Sequence, residues 1–308
     1  MMRYFTYGLL IVLGTLLMSC EKEIDLELPP PGNTWVVEGY IQTDEFPYVI
    51  LTRNTSFFGG DAFTSLGNLY VHDANVTVSN QGTDYDLQEL CLSNLPPNLK
   101  PIVSQFLGVN VDSLPPDLDV CVYVNFQLTG REGERYNLRI QKADTIVTSS
   151  TSIPYAVPVD SMWVLPEPEV ADSLVRLWVQ FDEPDTLGNF YRYFTKRNSE
   201  PFYPGLFGSV LDDEFFNGQL FRFNLDRGYD RNTDIDFDTY GLFVRGDTII
   251  VNISSIDRAH FRFWETAEDQ LRSGGPFASP TYITSNVEGG LGVWGGYGSA
   301  FDTLVVPK

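Results

Sequence analysis

The chain has 308 residues, 41 of them acidic against 20 basic, with a formal charge of −21 and 43% hydrophobic residues. That acid excess repels nucleic-acid phosphates with no basic patch to offset it, which excludes nucleic-acid binding and argues against adsorption to anionic lipid headgroups. The apolar share excludes a disordered chain and leaves room for one large or two ordinary domains.

In chain order, Arg3 gives a positive start, Phe5 to Met18 is an uncharged apolar run, and Ser19 stands directly before Cys20. This three-part form is that of a secretory signal, and a cysteine at the cleavage point after Leu17-Met18-Ser19 is the form of a bacterial lipoprotein signal. The apolar run falls short of the ~20 residues that span a bilayer. We therefore expect residues 1–19 to be a signal peptide and Cys20 to be the lipidation site. Residues 20–33, stiffened by Leu28-Pro29-Pro30-Pro31-Gly32, are expected to form a lipidated tether.

Short β-branched and aromatic runs follow at 34–41, 48–53, 75–80, 85–87, 121–128, 136–140 and 145–149, with a turn at Gln81-Gly82. Their spacing predicts an immunoglobulin- or transthyretin-like β-sandwich over 34–155. One insertion, 91–121, interrupts it with two Pro-Pro pairs and a short stretch of helical character at Asn98 to Leu107. With Cys20 used by the lipid, Cys91 and Cys121 are an even pair in an oxidising compartment, where a disulfide is the expected state. A metal site would need further ligands beside them in sequence, and none stand there; His72 and His260 are far apart.

Ile153-Pro154 to Val157-Pro158 marks a boundary, and 156–308 is expected to be a second β-rich domain with strands at 160–165, 174–181, 189–194, 220–225 and 242–253. The last of these is split by the turn Arg245-Gly246-Asp247. A helix is predicted over 256–273, capped by Ser255 and stopped by Gly274-Gly275-Pro276. Ile256, Phe263, Trp264, Ala267 and Leu271 give it a sheet-facing stripe that includes His260, read as a structural histidine. The glycine-rich stretch 289–298 has no helix behind it to make a phosphate cradle, so it is read as close packing or bulges before a last strand at 301–306.

The chain holds no Gly-x-Ser-x-Gly elbow, His-Glu-x-x-His pair, Walker-type loop or Cys-x-x-Cys motif, and its two histidines leave little room for general-base chemistry. The expectation is a protein that is not an enzyme and carries no cofactor. Asp230, Asn232 and Asp234 have the spacing of the first three EF-hand ligands, but Ile235 and Gly241 stand where that loop needs Gly and Glu. A structural calcium there is the weak metal candidate.

Several dispersed pieces run in order through nearly all of the chain. They include Cys20 with Ile24-Asp25, Val36 to Ile41, Ala74 to Val78, Phe181-Asp182-Glu183-Pro184, Asn189 to Arg192, Asp212 to Gly218 and Ser285 to Gly292. In these the chain resembles the Bacteroidota lipoproteins catalogued as domain of unknown function 4249. The 91–121 insertion is its most individual part, and Trp294 stands where the family tends to have Phe. The resemblance implies an outer-membrane lipoprotein, often encoded beside TonB-dependent receptors, and no reaction. Glu21-Lys22-Glu23 is similar to the acidic signal that sends such lipoproteins to the exterior face. The function expected is therefore a surface-exposed, non-catalytic accessory or binding subunit of a TonB-dependent outer-membrane β-barrel. Contact is expected through the 91–121 excursion or through Asp212, Asp213, Phe215 and Phe216. The alternatives are a free-standing glycan- or peptide-binding lipoprotein and a hydrolase of unknown substrate.

Cys20→Ala is expected to leave an uncleaved precursor or to release the protein from membranes. Fractionation and intact-mass measurement check this, and a normally acylated, membrane-bound product would count against it.

Overall fold

Alternating apolar and polar residues give most of this chain its local structure. In Arg135–Lys142, for example, Tyr136, Leu138 and Ile140 are buried while Arg135, Asn137 and Arg139 face out. The computed structural model describes residues 34–54, 69–95, 120–230, 233–272 and 282–308. The signal peptide, Cys20, the tether and the interior of the 91–121 excursion lie outside the described residues.

Among the described residues the architecture is mainly β with one long helix. The strands are β1 (Trp35–Gln42), β2 (Tyr48–Arg53), β3 (Asn75–Asn80), β4 (Thr83–Cys91), β5 (Cys121–Val124), β6 (Arg135–Lys142), β7 (Thr145–Ser152), β8 (Ser161–Pro166) and β9 (Leu174–Asp182). Then come β10 (Phe190–Arg197), β11 (Tyr203–Pro204), β12 (Val210–Asp212), β13 (Leu220–Leu225), β14 (Phe243–Val244), β15 (Thr248–Ile256), helix α1 (Arg258–Arg272), β16 (Val287–Glu288) and β17 (Leu291–Val305). A 13-stranded hydrogen-bonded path runs β11-β10-β15-β17-β1-β2-β5-β4-β3-β6-β7-β16, with β12 also on β10. A smaller sheet places β9 between β8 on one edge and β13 and β14 on the other.

Two main cores form. One holds residues between Trp35 and Ile153, together with Val287 and Trp294; the other holds residues between Val175 and Val306, including Phe181, Tyr191, Phe216 and Phe243. Strand β17 serves both. Its first half pairs in parallel with β1, and its second half pairs antiparallel with β15. Trp294 is buried in the first core and donates its indole N–H to the carbonyl of Tyr136 at 3.1 Å.

Here the structure corrects the sequence reading. The last strand begins at Leu291 rather than at 301; Gly289 and Gly290 form the turn before it, and Gly292, Gly295, Gly296 and Gly298 are part of it, in the close packing expected of them. They are needed because other groups lie where side chains would stand. A Cβ on Gly295 would come within 2.3 Å of the His260 ring, and one on Gly298 within 2.0 Å of the Pro154 carbonyl oxygen. The helix start also differs. Ser255 is buried in β15, and the cap is Asp257, whose Oδ1 accepts the N–H of His260 at 2.9 Å. Asp257 Oδ2 accepts from Thr151 Oγ1 and from the Ser152 N–H, fastening the helix start to β7. The inward stripe is also shifted: Phe261 and Glu268 are buried with His260 and Ala267, whereas Leu271 is exposed.

Gly295→Ala should lower stability by about 1–3 kcal/mol, because a fixed ring opposes the new methyl group. The check is a lower denaturant midpoint at unchanged slope; an unchanged midpoint would mean the His260 seat is loose.

Candidate functional site

The turn between β12 and β13 is built from buried polar side chains. Asp213 is 2% exposed, and its Oδ2 accepts the N–H groups of Gly188 and Asn189 at 2.8 and 2.9 Å. Its carbonyl accepts from Phe216 and Asn217. Glu183, equally buried, accepts from Asn189 Nδ2 (2.7 Å) and Tyr191 OH (3.0 Å) through one oxygen and from the Gly218 N–H (2.8 Å) through the other. Phe216 anchors the turn, stacked on Phe221 with ring centroids 4.1 Å apart and edge-on to Phe181. Three separate stretches, 181–184, 189–192 and 212–218, therefore meet in one knot.

This arrangement divides the four residues expected at a partner contact. Asp213 and Phe216 turn inward and hold the turn. Phe215 points out, 86% exposed, and Asp212 is half-buried beside it. Between this turn and α1 lies a cavity of about 390 Å³. Val210, Leu211, Phe216, Phe221 and Phe261 make its apolar lining, and Asp212, Glu265, Glu268 and Arg272 supply charge. Such a volume falls within the range of ligand and side-chain pockets.

The helix wall of the groove is held from behind by Arg192, which is buried. Its guanidinium lies 3.4 Å from the centroid of the Trp264 ring, donates through Nε to Ser209 Oγ (3.0 Å) and through Nη1 to Tyr297 OH (2.8 Å). Ser209 in turn donates to Glu268 from both its backbone N–H and its hydroxyl. Trp264 donates its indole N–H to His260 Nε2 at 3.1 Å, which places the imidazole proton on Nδ1, facing the Gly296 carbonyl. Burial is the main cause that pushes His260 down to about 3; Arg192 acts in the same sense and Asp257 opposes it.

The remaining sequence-predicted residues fall elsewhere. Cys91 and Cys121 form a disulfide across the β4·β5 ladder, closing the excursion at its base. At a sequence separation of 30, the bond removes about 3–4 kcal/mol of unfolded-chain entropy. Of the weak calcium candidates, Asn232 lies outside the described residues. Asp234 is exposed, and the Asp230 carbonyl accepts from the backbone N–H and the hydroxyl of Thr233. Glu183 was missed by sequence reasoning, because Asp182 beside it is equally acidic yet exposed, and only the fold tells the two apart. Also missed was the approach of His72 and Glu89 to the disulfide. Among the described residues these two and the cysteines form a group whose ligating atoms lie within 4.8 Å of one another.

Fold and site together define a mainly β protein that has a single long helix among its described residues and displays an exposed phenyl ring beside an apolar groove. The chain belongs to the family described as Domain of unknown function (DUF4249), whose family model matches residues 21–301. No curated protein matches the chain.

The His260 environment sets a pH dependence. An unfolded histidine titrates near 6.5, whereas this ring stays neutral in the fold down to about 3. The unfolded chain therefore takes up the proton first. The native state keeps this contribution in full above about pH 6.5 and loses it as pH falls, approaching a tenfold loss in the folding constant per pH unit. Denaturation midpoints between about pH 6.5 and 5, above the ordinary carboxylate range, should fall in the natural chain and fall less in His260→Gln. Parallel curves for the two would count against it.

Proposed function

We propose that the protein is a lipid-anchored, non-catalytic binding subunit on the exterior face of the outer membrane, accessory to a TonB-dependent β-barrel transporter or assembly. In this reading an immunoglobulin- or transthyretin-like sandwich over 34–155 carries a second β-rich domain over 156–308, and the second domain makes the contact. The observation that carries the reading is Phe215, an exposed aromatic on a turn whose neighbours are tied down by Asp213, Glu183 and Phe216. Covering a phenyl ring of this kind contributes roughly 1.5–3 kcal/mol. A pre-ordered turn loses little further freedom on binding, so more of that gain becomes affinity. Rigid aromatic anchors are the usual hot spots of protein interfaces. The tether supports the same reading, because confinement to a membrane raises the effective concentration near a neighbouring barrel and makes a modest contact sufficient.

A second reading, the free-standing glycan binder, is favoured by another feature of the same end. Phe207 and Phe237, both exposed, stack at 6.3 Å; Tyr240 meets Phe207 at 4.9 Å, and Tyr229 stacks on Tyr240 at 5.6 Å. Two exposed stacked rings, backed by half-buried tyrosines, suit the apolar faces of sugar rings.

The test is mild detergent solubilisation of native membranes followed by purification on the lipoprotein without crosslinker. A β-barrel protein should co-purify with the natural chain, and Phe215→Asp should reduce its recovery at least tenfold without lowering the melting temperature. Recovery of the lipoprotein alone in several mild detergents, together with glycan binding lost in Phe207→Ala, would favour the second reading.

A further inference from the structure

The base of the excursion holds more than a disulfide. Cys91 and Cys121 stand directly opposite each other in the antiparallel β4·β5 ladder, with Cα atoms 4.1 Å apart. Glu89, two residues back along β4, shares the face of Cys91, and its Oε1 lies 3.6 Å from Cys91 Sγ. His72 arrives from the segment before β3, and its Nδ1 lies 2.6 Å from Glu89 Oε1. That segment is fixed on several sides. Tyr123 OH donates to the Val71 carbonyl (2.7 Å) and accepts the Ala74 N–H (3.1 Å); Lys142 Nζ donates to the His72 carbonyl (2.5 Å). Asp73, at φ 51°, holds the left-handed backbone that non-glycine residues rarely adopt, and its N–H donates to Glu89 Oε2 at 2.8 Å. Histidine and glutamate are thus aimed at the sulfur pair by the fold.

We propose that, once the disulfide is reduced, His72, Glu89, Cys91 and Cys121 bind one zinc ion, so that a metal replaces the S–S bond as the clamp on the excursion. The reductant is a dithiol: two electrons and two protons pass to the Cys91–Cys121 bond, leaving two thiols and a disulfide in the reductant. Zinc then displaces the two thiol protons into solvent. His72 binds through Nδ1 as the neutral ring, its proton on Nε2, and Glu89 binds through Oε1.

The donor set fits the ion. Two sulfurs, one imidazole nitrogen and one carboxylate oxygen are the ligands of a tetrahedral, borderline-soft cation. With bonds of about 2.0–2.3 Å, the edges of that tetrahedron are about 3.4–3.8 Å. All four ligating atoms already lie within 4.8 Å of one another, so the edges are reached by rotating the cysteine side chains apart and opening the His72–Glu89 pair from 2.6 Å. Charge points the same way. Reduction without a metal leaves thiols that can ionise against the Glu89 carboxylate, and a divalent cation neutralises that group. Glu89 Oε2 keeps its hydrogen bond from Asp73, the outer support that orients a metal-binding carboxylate. The His72 side chain is 40% exposed, which gives the ion a way in.

The experiment uses the full chain with Cys20→Ser, so that Cys91 and Cys121 are its only thiols. The protein is reduced with a phosphine, and Co2+ is titrated in as the spectroscopic probe. One equivalent should produce the thiolate-to-cobalt charge-transfer band and the intense visible bands of a tetrahedral site, and Zn2+ should bleach both. Unreduced protein should show neither. His72→Ala and Glu89→Gln should each weaken binding at least tenfold, with circular dichroism confirming the fold. Alkylation followed by mass spectrometry gives a second readout free of any variant at the site: Zn2+ should protect both cysteines in the reduced chain. Absence of the thiolate band at one equivalent, binding unchanged in both variants, or unprotected cysteines would overturn the proposal.

Discussion

The fold depends on a strand that carries glycine at four positions, Gly292, Gly295, Gly296 and Gly298. Strand β17 must run between β1 and β15 while the helix, the end of β7 and the segment after it crowd against it. Glycine is what permits that approach. At Gly295 the His260 ring fills the place of a side chain, and at Gly298 the Pro154 carbonyl does so. Between them the strand turns from parallel pairing with β1 to antiparallel pairing with β15, so one backbone carries both cores. Glycine costs backbone entropy in a strand; the return is a helix seated directly on the sheet.

From that seat the site follows. His260 fills the space above Gly295 and accepts from Trp264; Trp264 lies against the Arg192 guanidinium; Arg192 donates to Ser209, and Ser209 to Glu268. Each contact fixes the next, and the chain of contacts ends at the groove wall. On the other side Glu183 and Asp213 hold the turn that presents Phe215. The groove is therefore bounded by two braced elements, with its exposed ring on the turn.

Much of this was legible beforehand. Short β-branched and aromatic runs located most of the long strands, and Gln81-Gly82, both at positive φ, gave the β3–β4 hairpin its turn. The cysteine pair was read from its parity. What escaped has physical reasons. A glycine run carries no alternation, so its strand character comes entirely from neighbours distant in sequence. Ser255 and Asp257 are both good caps, and the choice fell to Asp257 because β15 continues to Ile256 before the helix begins. Leu271 fits the helical period yet is exposed, while Glu268 is buried because Ser209 supplies its two donors. His72 reaches the cysteines through a turn after the bridge between Thr52 and Tyr70, a contact no local pattern encodes.

The distribution of buried charge also explains why the candidate contact could be read only in part. Asp212-Asp213-Glu214-Phe215-Phe216 looks like one exposed acidic and aromatic patch in sequence. In the fold, the alternate use of its members separates structure from display. A carboxylate taken out of water is costly unless its oxygens are satisfied, and Asp213 and Glu183 meet that condition with backbone and side-chain donors drawn from other segments. Exchanging such groups for apolar ones need not weaken a protein, so their main physical effect is on geometry rather than stability. Here that geometry fixes which of two adjacent phenylalanines is driven inward. Phe216 enters the aromatic stack, and the backbone direction this imposes leaves Phe215 no inward course.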